Sequence, residues 1–285
     1  MIRNRFLMHT YWLLAILGII LALEMNSKAA ETRTIVAIID TGLDLDDPRF
    51  KNVLCSEGHR DLTGVGMSDT MGHGTFVAGL IQRYAESEGK YCLLIVKYYL
   101  QYASGVQDTE RMTKAVEYAL KKGAKFINIS SGGDAFQITE YDLMKDHPST
   151  TFVVAAGNNH KDVESPKHEY YPAAYRLNNV IVVGSTNGES GEIADFSNYG
   201  SRVDVWENGV SLFSTEINWV CEHNRTGYLI DEHKKKLKLS GCCGYQSGTS
   251  FSTAVHTGKL IKSYVHEATK MGCQDHSCLV HKKYN

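Results

Sequence analysis

The strongest constraint on the fold of this chain is a series of short, continuous apolar runs separated by polar and helical segments. Strands buried on both faces of a parallel sheet have this character, whereas half-solvated strands alternate apolar and polar residues. The sequence therefore predicts an α/β domain built on a parallel sheet with right-handed crossovers. The predicted strands are Thr34–Ile39, Leu93–Tyr99, Phe126–Ile129, Phe152–Ala155 and Val180–Val183.

Two segments have the spacing of amphipathic helices, with apolar residues recurring every three or four positions. The first contains Met112, Ala115, Val116, Ala119 and Leu120, and the second contains Phe251, Ala254, Val255, Gly258, Leu260, Ile261, Tyr264 and Val265. In sheets of this type ligands bind beyond the carboxyl ends of the strands. Functional residues are therefore expected directly after the apolar runs.

Charge excludes one class of partner. The 285 residues carry a formal net charge of −2, and nucleic-acid binding domains usually have a basic excess. The densest basic group is Lys234, Lys235, Lys236 and Lys238, which is more typical of a solvated hairpin tip. We therefore expect no nucleic-acid partner.

The N-terminus has the pattern of a secretory signal peptide. Arg3 and Arg5 precede an apolar run from Trp12 to Leu23, and a small-x-small pattern ends at Ala29. This run is short for a membrane span, which needs about 20 residues, so no stable membrane partner is expected, although a retained anchor is the alternative. The prediction is a signal peptide at 1–29, one domain at 30–285, and a secreted or extracytoplasmic protein.

The seven cysteines all follow this segment, and export would allow disulfides. Cys55 with Cys92 is one candidate pair, and Cys273 with Cys278 is another. Cys221 and the adjacent Cys242 and Cys243 flank a charged segment, and the odd count leaves one thiol over. A metal site at Cys273, His276, Cys278 and His281 is the less favoured alternative, because the spacing lacks the usual zinc pattern.

Three short motifs at the expected positions carry chemistry. Asp40-Thr41-Gly42 ends the first apolar run, Gly72-His73-Gly74-Thr75 opens an apolar segment, and Gly248-Thr249-Ser250 opens the last predicted helix. Each motif alone is a weak signal, since an aspartate or serine in such a place is often only a cap. Their order along the chain makes the combination specific.

Together these motifs resemble the catalytic motifs of the subtilisin family of serine proteases. Three further segments are similar to family motifs: Phe126–Gly133, Ala155–Asn158 and Ala194–Gly200. The resemblance covers about residues 34–268. It implies a doubly wound α/β fold with a mostly parallel sheet and helices on both faces, and a serine endopeptidase that acts on proteins or peptides.

Carried over residue by residue, the resemblance implies a catalytic triad of Asp40, His73 and Ser250. Histidine would take the serine proton, and the aspartate would hold its tautomer and stabilise the imidazolium. The tetrahedral oxyanion would bind the Asn158 side-chain amide and the Ser250 backbone N–H. No metal and no cofactor are required for this chemistry.

The resemblance also implies two walls of a pocket for the substrate residue before the scissile bond. One wall comprises Ser131, Gly132 and Gly133, and the other comprises Ala155, Ala156 and Gly157. Tyr170 stands at the pocket base, where a small residue is common before a Tyr-Pro pair. Its ring would fill the pocket, since packed interiors yield little, so small substrate residues are expected. The alternative is a ring turned to solvent.

Departures from the family pattern bear on regulation. An insertion is predicted at about 216–244, close to the nucleophile. Phe251-Ser252-Thr253-Ala254 replaces the usual Met-Ala-x-Pro, and the segment that often supplies a calcium site is missing, so calcium is not supported by the sequence. Only about ten residues separate the expected cleavage site from Asp40. We therefore expect unaided folding or a folding factor or inhibitor acting in trans.

Two other functions compete with an active serine protease. A catalytically inactive binding protein on the same fold is the main alternative, although such proteins usually lose a triad member. An aspartic peptidase that uses Asp40 would leave His73 and Ser250 unexplained, and the chain has only one Asp-Thr-Gly.

Overall fold

The computed structural model describes residues 33–101, 105–163, 165, 167–217, 228–230, 236–238 and 243–270, all within one compact unit, Arg33–Asn285. Its centre is a seven-stranded sheet in the order β2-β3-β1-β4-β5-β6-β7. Every neighbouring pair in this sheet is parallel. The strands are β1 Thr34–Asp40, β2 Arg60–Asp61, β3 Tyr91–Lys97, β4 Phe126–Ile129, β5 Thr151–Ala155, β6 Val180–Thr186 and β7 Val205–Asn208.

All five predicted strands are present, and the predicted α/β class is confirmed. The third strand in chain order, β3, begins and ends two residues before the predicted segment, and β6 extends to Thr186. The sequence analysis missed β2, which has only two residues, and β7, in which every residue is half-buried. Neither edge strand contains a continuous apolar run, which was the signal used.

Among the described residues, four α-helices cover the sheet: α1 His73–Ala85, α2 Gly105–Lys121, α3 Ile138–Lys145 and α4 Thr249–Lys270. A short 3-10 helix spans Ala173–Tyr175. The two predicted helices correspond to α2 and α4. The short α3 was not predicted, because only Glu140 and Met144 are buried in it and it has no apolar stripe.

Alternate residues of each strand supply two separate cores. Val36 and Ile38 face the core that contains α1 and α4, whereas Ala37 and Ile39 face the core that contains α2 and neighbouring loops. Each fully buried aliphatic side chain of this kind contributes about 1.5–3 kcal/mol. Because both faces of β1 are covered, its sequence is apolar throughout rather than alternating.

Helices α1 and α4 pack closely, because a glycine lies at their crossing. A Cβ atom on Gly258 would lie 2.6 Å from the Cβ of Tyr84 and 2.9 Å from the carbonyl oxygen of Ile81. This close approach brings the beginning of α4 beside the beginning of α1. The serine and histidine motifs, 177 positions apart in the sequence, are thereby neighbours.

Two small antiparallel sheets accompany the main one. β8 Leu212–Thr215 pairs with β11 Cys243–Gln246, and β9 Tyr228–Ile230 pairs with β10 Lys236–Lys238. The predicted insertion, about 216–244, lies between β8 and β11 in the sequence. Of this insertion the structure describes only β9, β10 and a few residues next to β8 and β11. The predicted signal peptide 1–29 lies outside the described residues, as do Cys221, Cys242, Cys273 and Cys278, with His276 and His281.

Within the described ranges, no helix is both long enough and apolar enough to span a bilayer. The carboxyl ends of the parallel strands all lie at one edge of the sheet. Asp40 is the last residue of β1, and the segments after β4 and β5 begin at the same edge. The topology therefore brings together the predicted site residues on β1, β4 and β5, and the packing of α1 against α4 brings His73 and Ser250 beside each other.

Candidate active site

Asp40 and His73 form a direct hydrogen-bonded pair. The Nδ1 atom of His73, the first residue of α1, lies 2.8 Å from Oδ1 of Asp40. Asp40 is 3% exposed, and the same oxygen accepts the backbone N–H of Thr41 at 2.7 Å. Since an ionised carboxylate can only accept, His73 donates from Nδ1 and keeps Nε2 as a free acceptor. That tautomer can take a proton from a hydroxyl.

The surroundings of His73 favour its protonated form. Burial alone would lower its pKa, but the negative charge of Asp40, the hydrogen bond to it and the charge of Asp69 together raise the pKa above its usual value. The imidazolium that forms when this histidine takes a proton is therefore stabilised by its neighbours. This is the electrostatic requirement for a general base.

Asp69 is a functional candidate that the sequence analysis missed. Its buried carboxylate accepts five hydrogen bonds around the first turn of α1. Oδ1 accepts from the Thr41 hydroxyl and the N–H groups of Met71 and Gly72, and Oδ2 accepts from the N–H and hydroxyl of Thr75. Aspartates often accept the backbone N–H two residues on in a turn, as Asp69 does from Met71, and this preference was the available signal.

Ser250 lies in the first turn of α4, half-buried at the cleft. Its Oγ donates a hydrogen bond to the backbone carbonyl of Ser130 at 2.6 Å. No hydrogen bond joins Ser250 to His73 among the described residues, although the His73 ring contacts Phe251, the next residue of α4, at a centroid distance of 5.4 Å. The hydroxyl must therefore rotate about its Cα–Cβ bond to reach Nε2.

Asn158 is held in one orientation by the residue before Ser250. Its Oδ1 accepts the backbone N–H of Thr249 at 2.8 Å and the Thr249 hydroxyl at 2.9 Å. The exposed Nδ2 group has no protein acceptor within the described part of the chain, and neither has the Ser250 backbone N–H at the beginning of α4. Two donors without a protein acceptor therefore lie close together, because the Asn158 amide is bound to Thr249, the residue before Ser250. An oxyanion hole needs such a pair of unoccupied donors.

The two predicted pocket walls lie at the carboxyl ends of the neighbouring strands β4 and β5. Ser131, Gly132 and Gly133 directly follow β4, and the Ser131 Oγ accepts a hydrogen bond from Tyr98 at 2.7 Å. Gly133 exchanges two backbone hydrogen bonds with Tyr171, at 2.9 and 2.7 Å. This bridge fixes the position of the first wall relative to the Tyr170 segment.

The second wall is formed by backbone rather than by side chains. Ala155 is the last residue of β5, and both it and Ala156 are buried, at 1% and 0% exposed. The Ala156 methyl packs into one of the hydrophobic cores. Gly157 has a positive φ of 100°, and a Cβ added there would lie 2.4 Å from the Asn198 amide, so only glycine fits.

Tyr170 places its ring between the two walls. A Cβ on Gly132 would lie 2.7 Å from Cε1 of Tyr170, and one on Gly157 would lie 3.1 Å from its Cδ1. Burial raises the pKa of the phenol to about 12. The half-buried ring therefore contacts both walls.

One predicted cysteine pair is present: Cys55 and Cys92 form a disulfide beside the edge of β3. The other described cysteine, Cys243, is half-buried and is not disulfide-bonded in this part of the structure. Across the described ranges, no group of three or more His, Cys, Asp or Glu side chains is arranged to hold a metal ion.

An imidazole–carboxylate pair, a serine at a helix start and two donors without a protein acceptor, all at one edge of a parallel sheet, form an arrangement typical of serine hydrolases. Sequence comparison makes the class specific, because the profile of the subtilase family matches residues 31–268. The chain belongs to the subtilase family of serine proteases.

Individual relatives agree with that assignment. The chain is 32% identical over 265 residues to the major intracellular serine protease of Bacillus subtilis, covering 88% of this chain and 75% of the relative. It is 32% identical to the cell wall-associated protease of the same species, covering 80% of this chain but only 23% of that longer protein.

Solved structures agree in fold. A lanthipeptide protease superposes with a TM-score of 0.66 at 21% identity, covering 87% of this chain and 78% of that one. A cold-adapted subtilisin-like serine proteinase superposes with a TM-score of 0.61, also at 21% identity, covering 88% and 81%. The predicted subtilisin-like architecture is therefore confirmed.

Proposed function

We propose that this chain is an active serine endopeptidase that cleaves proteins or peptides through an acyl-enzyme. The observation that carries the proposal is the 2.8 Å contact between His73 Nδ1 and Asp40 Oδ1, which leaves Nε2 as an acceptor near Ser250. An inactive binding protein on this fold would gain nothing from a buried carboxylate that raises the pKa of a cleft histidine.

The proposed reaction follows from these positions. Ser250 Oγ attacks the scissile carbonyl carbon while its proton passes to Nε2 of His73. The carbonyl oxygen becomes an anion and accepts hydrogen bonds from Asn158 Nδ2 and the Ser250 N–H. The imidazolium then protonates the leaving amine, and water, deprotonated by the same histidine, releases the acyl group.

A serine-directed phosphonate tests this proposal directly. The wild-type protein should be labelled at Ser250, and Ser250→Ala should not be labelled. Ser247→Ala is a matched control, because Ser247 is an exposed serine three residues earlier that only accepts the Ser211 N–H. Labelling of Ser250→Ala at the wild-type rate would contradict the proposal.

Asn158→Ala tests the oxyanion hole separately. We expect turnover to fall about 100- to 1,000-fold with little change in KM, a magnitude that comes from the subtilisin family itself. Because the Asn158 oxygen also binds Thr249, Asn158→Asp is the matched control. It keeps an acceptor for those two bonds, but it replaces the free donor with an acceptor and adds a negative charge beside the oxyanion, so it should be at least as impaired.

We also propose that Tyr170 restricts the substrate residue before the scissile bond to small side chains such as Ala or Ser. Support comes from its ring atoms, which lie against both Gly132 and Gly157. A mixed peptide library should show small residues at that position in wild type. Tyr170→Gly should admit Phe and Leu, whereas Tyr170→Phe, which keeps the ring, should not. A wild-type preference for Phe or Leu would exclude this role.

We propose further that the enzyme acts outside the cytoplasm. The Cys55–Cys92 disulfide supports this location, because such bonds persist in oxidising compartments. One relative is named as intracellular and another as cell wall-associated, so relatives alone do not decide. Fractionation of the producing cells, with N-terminal sequencing of the product, should recover a secreted chain that begins near Ala30. An intact N-terminus on a cytoplasmic product would contradict the proposal.

A further inference from the structure

Ser130 and Ser250 are joined by two hydrogen bonds that run in opposite directions. Ser250 Oγ donates to the carbonyl oxygen of Ser130 at 2.6 Å, and Ser130 Oγ donates to the carbonyl oxygen of Ser250 at 2.8 Å. The two residues lie 120 positions apart in the sequence. In each of the two residues, therefore, both the hydroxyl and the backbone carbonyl are held by the other residue.

The Ser130 hydroxyl is itself part of a buried network of hydrogen-bonded side chains. Asn128 Nδ2 donates to Ser130 Oγ at 2.8 Å, and Asn128 Oδ1 accepts the Thr257 hydroxyl at 2.9 Å. Asn128 and Thr257 are 0% exposed, and Ser130 is 2% exposed. These hydrogen bonds link the end of β4 to the third turn of α4.

Polar side chains in such a place need an explanation. β4 packs against α4 in an otherwise apolar core, and a buried polar group costs about 1–3 kcal/mol whenever its partner is lost. Apolar residues of the same size would join the two elements without that risk. These hydrogen-bonded polar side chains fix the orientation of β4 relative to α4, because hydrogen bonds restrict orientation more strictly than apolar packing does.

The direction matters at two atoms of the proposed reaction. The bond from Ser130 Oγ to the Ser250 carbonyl orients the first turn of α4, and with it the Ser250 N–H. The bond from Ser250 Oγ to the Ser130 carbonyl sets the position from which the hydroxyl turns to His73. A misplacement of about 1 Å at such atoms can cost about 100-fold in rate.

We propose that Ser130, held by Asn128, is a positioning residue that orients the nucleophile and one oxyanion donor through its side-chain hydroxyl. This inference rests on the proposed function, since it assigns Ser130 a role only if Ser250 is the nucleophile. Ser130 acts through Ser250 by means of the two reciprocal bonds, and its hydroxyl takes no part in the proton transfer.

The test compares Ser130→Ala with Ser252→Ala. Ser252 is also a buried serine on α4, 0% exposed. Its hydroxyl lies 2.9 Å from the Thr249 carbonyl and 3.1 Å from Ser185 Oγ. Both variants lose a buried hydroxyl and two hydrogen bonds, so both should unfold at lower urea concentration by similar amounts. Only Ser130→Ala removes a bond to the nucleophilic residue.

For Ser130→Ala, kcat on a peptide substrate should fall about 10- to 100-fold while KM changes less than about twofold. The rate constant of phosphonate labelling should fall by the same factor. Ser252→Ala should keep kcat within about twofold of wild type, and Ser130→Thr, which retains a hydroxyl, should recover most of the lost rate.

Equal losses of kcat in Ser130→Ala and Ser252→Ala would overturn the inference and assign Ser130 a purely structural role. So would wild-type labelling and turnover of a folded Ser130→Ala. Failure of the proposed function looks different: the wild-type protein itself would then not be labelled at Ser250.

Discussion

Two histidines of this molecule show how the same side chain is put to opposite uses. His73 binds a carboxylate through Nδ1. His59, before the edge strand β2, is placed among backbone groups instead: its Nε2 lies 3.0 Å from the Cys55 carbonyl, and its Nδ1 accepts the Ile95 N–H at 3.1 Å. Nε2 of His73 can accept a proton, and the neighbouring carboxylates stabilise the resulting positive charge. In His59 both ring nitrogens are already hydrogen-bonded to backbone groups, so a proton would have to displace one of these bonds.

The pKa shifts follow from these partners. Burial lowers the pKa of His59, and the Cys55 carbonyl only partly offsets that effect. At His73 burial acts in the same direction, but the carboxylates of Asp40 and Asp69 outweigh it and the pKa is raised. The comparison teaches that the groups facing a ring, and not its degree of burial, decide whether a histidine serves as base or as scaffold.

The largest expected effect is on kcat, which should depend on His73 and hardly on His59. His73→Ala should lower kcat about a million-fold, a magnitude known from the subtilisin family, and adding Ser250→Ala should cost little more because the two act as a unit. His59→Ala should keep kcat within about threefold, since no described contact joins it to the cleft. Steady-state kinetics on folded variants decide this. Comparable losses would remove the distinction.

The next effect concerns stability. His59→Ala leaves the Ile95 N–H and the Cys55 carbonyl without their side-chain partner, and each buried orphan costs about 1–3 kcal/mol. We expect the free energy of unfolding to fall by about 2 kcal/mol or more in urea titrations at pH 8. His59→Gln, whose amide can donate and accept, should lose less than His59→Ala. An unchanged midpoint for His59→Ala would show that the ring bonds contribute nothing.

Removing the charge of Asp69 should move the pH profile of catalysis. Its carboxylate helps to raise the pKa of His73, so Asp69→Asn should lower that pKa and shift the acid limb of kcat/KM toward lower pH. It should also lower the rate, because α1 loses part of its cap. Asp61→Asn is the control: Asp61 accepts the backbone N–H groups of Thr63 and Gly66. It should leave the limb in place, and an equal shift in both variants would contradict the assignment.

The smallest expected effect is on the pH dependence of stability, to which His59 and His73 contribute with opposite signs. His59 has a lowered folded pKa, so the unfolded chain binds its proton more readily, and stability should fall as the pH drops below about 6.5. His73 has a raised folded pKa, so its contribution is lost as the pH rises above about 6.5. Urea titrations between pH 5 and 8 should show a flatter acid side in His59→Gln than in wild type. A steeper acid side would reverse the sign argued here.

Sequence alone predicted the centre of this fold well and its edges poorly. The five central strands were visible because each is buried on both faces and is therefore continuously apolar. Strand β7 was missed because its residues are only half-buried, and β2 because it has two residues.

The candidate site divides in the same way. The three motifs carried Asp40, His73 and Ser250, because chemistry fixes those residue types and the fold fixes their order. Ser130 and His59 were not predicted as functional or structural partners. Their roles depend on hydrogen bonds between segments far apart in the sequence, and no local spacing encodes such bonds. Tyr170 is an intermediate case, because the sequence predicted its position at the pocket base but not the direction of its ring.

The pairing of Ser130 with Ser250 has a consequence for how the enzyme is made. Contacts between residues far apart in sequence form late, because a long loop must close first, and a chain on the ribosome emerges from its N-terminus. The aspartate and histidine are synthesised long before α4, the last described helix, brings the serine to them. Under the proposed mechanism, a nascent chain is therefore inert toward itself and its neighbours until α4 docks, so the order of synthesis delays proteolysis until this helix is in place.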